Sequence, residues 1–285
     1  MTRPVESITM IRGGECFMQG DRWVIRPFNG VFFGAFAAVM LLLVVASCFL
    51  RKKDERVRRG VIVGASLLTL IGFFVYKACL SADAEFDALT ASMGGFNWWG
   101  ELPLQLCNIN MLLIPIAVLW KKRPLLSFCF FVGPLGALMA LLMPGNGFSG
   151  YSLLLPRMLG YYGTHFAVIA EGLALGTFGL YKPKFRDLIP TVLTLFGVTV
   201  VIFGFDMLLR ATGLHPKANY FFAVETEGNA PLELFYKWLP VPCLYLILPG
   251  SAILMAYMLT VMLVITAVDK LKELGVRFST TTPNS

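Results

Sequence analysis

The sequence predicts an all-α, polytopic membrane protein: a bundle of seven transmembrane helices with the N-terminus out and the C-terminus in. Three observations lead there. Of 285 residues, 57% are apolar and only 14% charged, too greasy a balance for an ordinary soluble domain. Apolar runs of about twenty residues, the length that crosses roughly 30 Å of hydrocarbon, recur at about 30–50, 60–80, 101–120, 124–143, 160–181, 188–210 and 243–268. The basic residues, finally, fall in alternate connections: Arg51, Lys52, Lys53, Arg56, Arg58 and Arg59, then Lys121, Lys122 and Arg123, then Lys182, Lys184 and Arg186, then Lys270, Lys272 and Arg277. The positive-inside rule puts those segments in the cytoplasm. The domain division is then a non-cytoplasmic tail (1–29), a seven-helix transmembrane domain (30–268) and a cytoplasmic tail (269–285).

The same charge distribution argues against nucleic acid as a partner, although the formal charge is +7. Fifteen of the 24 basic residues are accounted for by loops beside phospholipid headgroups, so the partners to expect are membrane lipids. Oligomeric state is left open. The six cysteines form no CxxC pair, so neither a disulfide framework nor a zinc spacing is visible. With two histidines and no HExxH, Walker A or GxGxxG pattern, the chain calls for no metal and no cofactor. Residues 1–29 lack a charged-then-apolar start, which makes span one its own insertion signal.

The elements follow in order. Trp23 and Phe28 hold the N-terminal tail at the outer interface. Span one is apolar throughout and faces lipid. Span two carries Tyr76 and Lys77 near its outer end, where a lysine alone would snorkel to the headgroups. The outer loop 81–100 ends in Trp98-Trp99-Gly100, a turn anchored at the water–lipid boundary. Span three starts at Glu101 with Pro103 in its first turn. Span four contains Gly133-Pro134-Leu135-Gly136, whose small residues allow close helix approach. Residues 151–162 lie along the interface, and span five follows with His165 and Glu171. Span six carries Asp206 and Arg210 outward, 211–242 is a long outer loop, and span seven has a kink at Pro249-Gly250. The Thr-rich stretch 278–285 reads as disordered.

Function concentrates in the stretch Glu101-Leu-Pro-Leu-Gln-Leu-Cys-Asn-Ile-Asn110, which puts a carboxylate, three side-chain amides and a thiol at the start of a span. Hydrocarbon penalises unpaired polar groups, so this end must face protein or water. Helix rise places Cys107 and His165 at equal depth, roughly 9 Å below the outer boundary. Lys77 and Asp206 enter the same layer from the opposite direction, with Gln105, Asn108 and Asn110 beside them. Four helices therefore supply polar groups at one level, as an outward-opening cavity requires. A continuous helix would put Glu101, Gln105 and Asn108 on one face. Cys107 is a candidate nucleophile and His165 its base. A lone membrane cysteine is more often a small packing residue, and equal depth permits contact without showing it. A second reading is a transporter or small-molecule binding protein in which Lys77, Glu171 and Asp206 act as charge partners. A third is an assembly protein without chemistry.

Leu102-Pro-Leu-Gln-Leu-Cys-Asn108, together with Tyr161-Tyr-Gly-Thr-His165 and Asn219-Tyr220, resembles the YwaF family of integral membrane proteins, mostly bacterial, with a eukaryotic branch associated with acyl transfer onto lysophospholipids. The resemblance implies a bacterial cytoplasmic membrane, Cys107 as acyl acceptor and His165 as its base. It adds Asn219 to a substrate-binding set of Gln105, Asn108, Asn110, Glu101, Asp206 and Lys77. The bacterial pattern commonly has a histidine where this chain has Gln105, which can orient a carbonyl but not shuttle a proton. The expected activity is a membrane-embedded acyltransferase or acyl hydrolase acting on phospholipid or lysophospholipid through a Cys107 thioester.

Overall fold

A computed structural model describes residues 22–91, 95–145 and 147–281, with side chains as far as Lys272. The expectations for residues 1–21 and 282–285 lie outside the described residues. The chain opens with a short strand, β1 (Val24–Ile25), and a helix α1 (Gly30–Leu50). Asn29 joins the two: its amide donates to the Val24 carbonyl at 2.7 Å, and its Oδ1 accepts from the Phe32 N–H at 2.9 Å. That N-cap satisfies one of the four amides a helix start leaves unpaired. Along α1 only Phe32 and Leu43 are buried, as a lipid-facing helix requires. The other helices are α2 (Glu55–Ser81), α3 (Ala84–Thr90), α4 (Asn110–Trp120), α5 (Arg123–Leu142), α6 (Pro156–Thr177), α7 (Leu188–Thr212), α8 (Ala230–Trp238) and α9 (Leu244–Thr281). A second strand, β2 (Tyr151–Ser152), pairs antiparallel with β1, Val24 opposite Ser152 and Ile25 opposite Tyr151.

The helices alternate between two ends. At one end the basic connections meet. Lys121 lies 3.6 Å from Glu55, Arg58 donates to the Phe178 carbonyl, Arg123 grips Asp187, and Lys182 pairs with Asp269 at 2.7 Å. At the other end Arg157 pairs with Asp83 and Glu85, Lys77 with Glu101, and Arg210 with Glu225. The four basic segments thus share one end, consistent with the alternation read from the sequence.

Among the described residues, five segments are long and apolar enough to cross a membrane: Gly30–Leu50, Glu55–Ser81, Arg123–Leu142, Phe185–Thr212 and Leu244–Lys272. Two of the seven runs fall short, for different reasons. Helix α6 has the length, but Arg157, His165 and Glu171 dilute its hydropathy. Helix α4 is apolar and too short, because the first half of the third run is not helical at all.

That is the main correction to the sequence reading. Residues 101–109 form successive turns, and the helix begins only at Asn110. Glu101, Gln105 and Asn108 therefore do not share a helical face. The cause is competition from tertiary partners. Pro103 has no N–H to give, the Leu102 N–H donates to the Tyr220 hydroxyl at 2.9 Å, and Gln105 Oε1 accepts from the Phe221 N–H at 3.0 Å. Irregular backbone is tolerated at membrane depth only where protein or a polar cavity satisfies it. Here protein does.

Smaller differences follow. Residues 151–162 do not lie along a surface: they pair as β2 and then start α6, burying Arg157. The loop 211–242 contains α8. Helix α9 continues past residue 268 to Thr281, with Pro249 inside it.

The interior divides into three apolar clusters. One, toward the basic end, gathers Ile114, Phe128, Cys129, Phe131, Leu175 and Met258. A second holds Phe73, Tyr76, Met111, Met158, Tyr162 and Phe166, with Cys107 packed against it. A third holds Ile109, Ile202, Leu209, Tyr220 and Phe221, with Leu102 and Leu104 packed against it. The unwound segment 101–109 is the wedge between the second and third.

Candidate functional site

Close backbone approach makes room for the wedge. A Cβ on Gly136 of α5 would lie 3.5 Å from the Cys107 nitrogen and 3.6 Å from its Cα; one on Gly133 would lie 3.1 Å from the Asn110 side-chain carbon. The two glycines are three apart on a helix and so share a face, which presents a smooth surface to residues 107–110. The small residues of span four thus do what the sequence suggested.

Cys107 is half-buried. Its turn is closed by a hydrogen bond from the Ile109 N–H to the Gln105 carbonyl at 2.9 Å. Cys107 packs against the cluster that also holds Tyr76, with Tyr161 packed on the same cluster. The N-terminus of α4, the positive end of its dipole, starts three residues further on.

His165 is buried on α6, and its Nδ1 lies 2.6 Å from the Tyr161 carbonyl. A carbonyl only accepts, so Nδ1 carries the proton and Nε2 is the basic nitrogen of the neutral ring. The Tyr161 ring sits 4.5 Å from the His165 ring and 4.5 Å from Phe148, and its hydroxyl donates to the Ala140 carbonyl at 2.6 Å. His165 adjoins Tyr161, and Cys107 and Tyr161 pack against one cluster, yet no hydrogen bond joins Cys107 and His165.

Lys77 does not snorkel. It is 8% exposed, ion-paired with Glu101, donates to the Tyr76 hydroxyl at 3.2 Å, and lies over the rings of Tyr76 and Phe73. Burying a lysine in an apolar setting is costly unless it is paired, and Glu101 is the group that pairs it. Asn108 and Asn110 are buried, and each has a side-chain oxygen without a partner. The Asn110 amide donates to the Leu106 carbonyl at 2.9 Å, which ties the start of α4 back to the turn.

Asp206 and Asn219 belong to a different part of the assembly. Asp206 is fully buried. One of its oxygens accepts from the Tyr220 N–H at 2.9 Å and the other has no partner. Asn219 donates to the Glu225 carbonyl and to Glu227, and accepts from the Val224 and Glu225 amides at 3.0 Å. Its side chain is consumed in shaping the loop, so direct substrate contact, as the resemblance implied, has no free group to use. Phe221 and Phe222 both adopt left-handed backbone, φ 62° and 56°, at a cost of roughly 1–2 kcal/mol per residue. The strained loop is held over the wedge by Asp206, by Gln105, and by the Tyr220 hydroxyl, which donates to the Trp99 carbonyl at 2.7 Å.

Sequence reasoning missed Tyr161 and Tyr220 as site residues. Tyr161 was legible in part: its carbonyl is one helical turn before His165, where an i−4 acceptor must lie. Tyr220 had no such signal. Among the described residues no group of three or more His, Cys, Asp or Glu could hold a metal.

Apolar helices arranged about a polar, partly unwound interior make this an integral membrane protein. Residues 28–263 match the family model described as the TMEM164 family, and the chain belongs to that family. This overturns the resemblance to the YwaF family: the TMEM164 family is eukaryotic, and the short motifs around Cys107 and His165 did not separate the two. The bacterial membrane, and the comparison of Gln105 with a bacterial histidine, fall with it. No curated protein and no solved structure matches the chain.

Proposed function

We propose that the protein is a membrane-embedded acyltransferase or acyl hydrolase acting on phospholipid or lysophospholipid, with Cys107 as nucleophile and His165 as its base. One observation carries the reading: Cys107 sits on unwound backbone inside the bundle, three residues before the start of α4, and packs against the same cluster as Tyr161, whose carbonyl fixes the His165 tautomer that leaves Nε2 basic. A structural cysteine needs none of this.

In the first step the thiol proton passes to His165 Nε2 and the thiolate attacks the ester carbonyl of an acyl lipid. The carbonyl π pair moves to oxygen, where backbone N–H groups of the turn and the Asn108 amide would hold the developing charge. Collapse breaks the acyl C–O bond, and the leaving alkoxide takes the proton from His165. In the second step a lysolipid hydroxyl or water gives its proton to His165 and attacks the thioester, releasing acylated lipid or fatty acid and restoring the thiol. Catalytic hydrogen bonds commonly tighten only in the substrate complex, so the Cys107–His165 bond is assigned to that complex. The wedge lies at the end of the bundle opposite the basic loops. Reading those loops as cytoplasmic by the positive-inside rule, we assign the wedge to the non-cytoplasmic side.

The transporter reading finds less support. Lys77 pairs with Glu101, Glu171 accepts from Ser66 and Thr69 of α2, and Asp206 holds the 219–223 loop. The three charges serve three separate contacts. Incubating detergent-purified protein with acyl-labelled phospholipid and a lysolipid acceptor tests the proposal. Label should move to the acceptor or to free fatty acid with wild type and not with Cys107→Ser; equal transfer by both would exclude Cys107 as nucleophile.

A further inference from the structure

We propose that α8 is a membrane-surface element: its exposed stripe Pro231–Leu234–Trp238 lies in the headgroup–acyl boundary of the leaflet at the Cys107 end. The helix is written into the sequence by Pro231 in its first turn, Glu233 near its start and Lys237 near its end, each where the dipole or the missing N–H favours it. Nine residues span only about 13 Å, far short of a membrane crossing. Yet the helix is not covered by protein. None of its residues is buried, and Trp238 is 74% exposed, more than any other large apolar side chain among the described residues.

Positions 231, 234 and 238 follow i, i+3, i+7 spacing and so form one apolar line. The opposite side packs inward: the Tyr236 ring meets Tyr245 of α9 edge-on at 5.3 Å. Exposed apolar side chains recur at Val241, Leu244 and Leu248 onto α9, at the same i, i+3, i+7 spacing, while Cys243, Tyr245 and Ile247 between them turn inward. Helix α9 meets the length and hydropathy of a membrane span, so its exposed apolar surface faces lipid, and the stripe of α8 extends that surface. Continuity of surface commits the occupant to lipid rather than to another protein. Tryptophan at such a boundary has its ring in the acyl region and its N–H toward the headgroups.

The anchor is tied to the loop over the wedge. Tyr245, which packs on Tyr236, donates to the Phe222 carbonyl; Glu233 of α8 accepts from Thr226; and the Cys243 N–H donates to the Ala223 carbonyl at 2.6 Å. A helix seated in the leaflet thereby fixes the level at which the 219–223 loop, and the Cys107 turn beneath it, meet lipid. The inference does not depend on which reaction Cys107 performs.

The test uses the full-length protein reconstituted in phosphatidylcholine vesicles. Wild-type minus Trp238→Phe emission isolates Trp238, and the quenchers are lipids brominated near the headgroup end of the acyl chain and, separately, aqueous iodide. Trp238 emission should fall by about half or more in brominated vesicles and change little with iodide, the behaviour of an interfacial helix. A Leu234→Trp substitution in the Trp238→Phe background should restore lipid-quenched emission. Quenching by iodide alone would place the stripe in open water, and quenching by neither would place it under protein, a second copy included; either result overturns the proposal.

Discussion

The two ends of the bundle are built to opposite specifications. At the basic end, connections are short and the buried carboxylate is fully paired, with Arg58 Nε the one buried side-chain nitrogen there that lacks a partner among the described residues. Arg123 donates Nε and a terminal nitrogen to both oxygens of Asp187, each at 2.6 Å, and to the Lys182 carbonyl, while Tyr181 donates to the same carboxylate. At the Cys107 end, three buried oxygens, on Asn108, Asn110 and Asp206, lack partners among the described residues. Five of the six described non-glycine residues with left-handed backbone, Phe28, Phe221, Phe222, Glu227 and Cys243, also lie at that end; only Lys121 does not. Unsatisfied polar groups and backbone strain both cost stability, so they persist where the surrounding packing over-determines them. The lesson is a division of labour: the basic end holds the bundle, and the other end carries the strain and the unpaired polar groups that the proposed site would use.

Substitutions can break that contrast, and the largest effect should come from the site itself. His165→Ala, which removes the proposed general base, is expected to lower acyl transfer by on the order of 10³-fold with no matching drop in the melting temperature. Equal losses of both would make His165 a packing residue. Next is the basic end. Arg123→Ala strands the Asp187 carboxylate, which is 3% exposed, and should destabilise by about 2 kcal/mol, below the usual figure for a buried pair because Arg123 is partly solvated. Activity per folded molecule should not change; if it falls with stability intact, the ends are coupled.

Gln105→Ala sharpens the comparison from the site side. It removes the acceptor for the Phe221 N–H, freeing the strained loop to relax. Misplacement of this size costs on the order of 10²-fold in rate, and iodoacetamide labelling of Cys107 should speed up as the loop lifts. Unchanged labelling would show that the loop does not cover the thiol.

The smallest effect is one of pH. His215, in the loop after α7, has its Nε2 only 2.9 Å from where a Gly100 side chain would begin, and its Nδ1 faces the Asn97 amide at 3.3 Å. Burial pushes its pKa below the ordinary value, with Glu101 opposing and Arg210 reinforcing the shift. A depressed folded pKa means the unfolded state binds the proton first, so the contribution is complete above about pH 6.5 and is lost as pH falls through the folded value. Limited proteolysis of the 213–229 loop should therefore accelerate modestly below about pH 6, and the acceleration should vanish in His215→Asn. An identical profile in the variant would assign the effect elsewhere.

How much of this was legible in the sequence depends on the range of the interactions. Hydropathy is local, and it found the apolar helices and the polar stretch 101–110. Gly133 and Gly136 carried their meaning in their spacing, and Lys77 and Asp206 were correctly placed at the Cys107 end. The unwinding of 101–109 was not legible, because the partners that compete with the helix, Phe221 and Tyr220, lie 116 and 118 residues away. Propensity and periodicity do not see across such a distance. The Lys77–Glu101 pair was hidden for a related reason: each residue alone has an unremarkable explanation, and only the fold brings them together. The family was misjudged because short motifs are shared more widely than whole-chain patterns are.

The central claim is that Cys107 carries an acyl group, and intact-protein mass spectrometry tests it most directly. Purified wild type and Cys107→Ala are each incubated with a mixed phospholipid pool, without an acceptor, and divided into samples with and without hydroxylamine. The account predicts a fatty-acyl mass increment on wild type that hydroxylamine removes and that never appears on the variant. The same increment on both proteins would contradict it, by assigning the thioester to another cysteine.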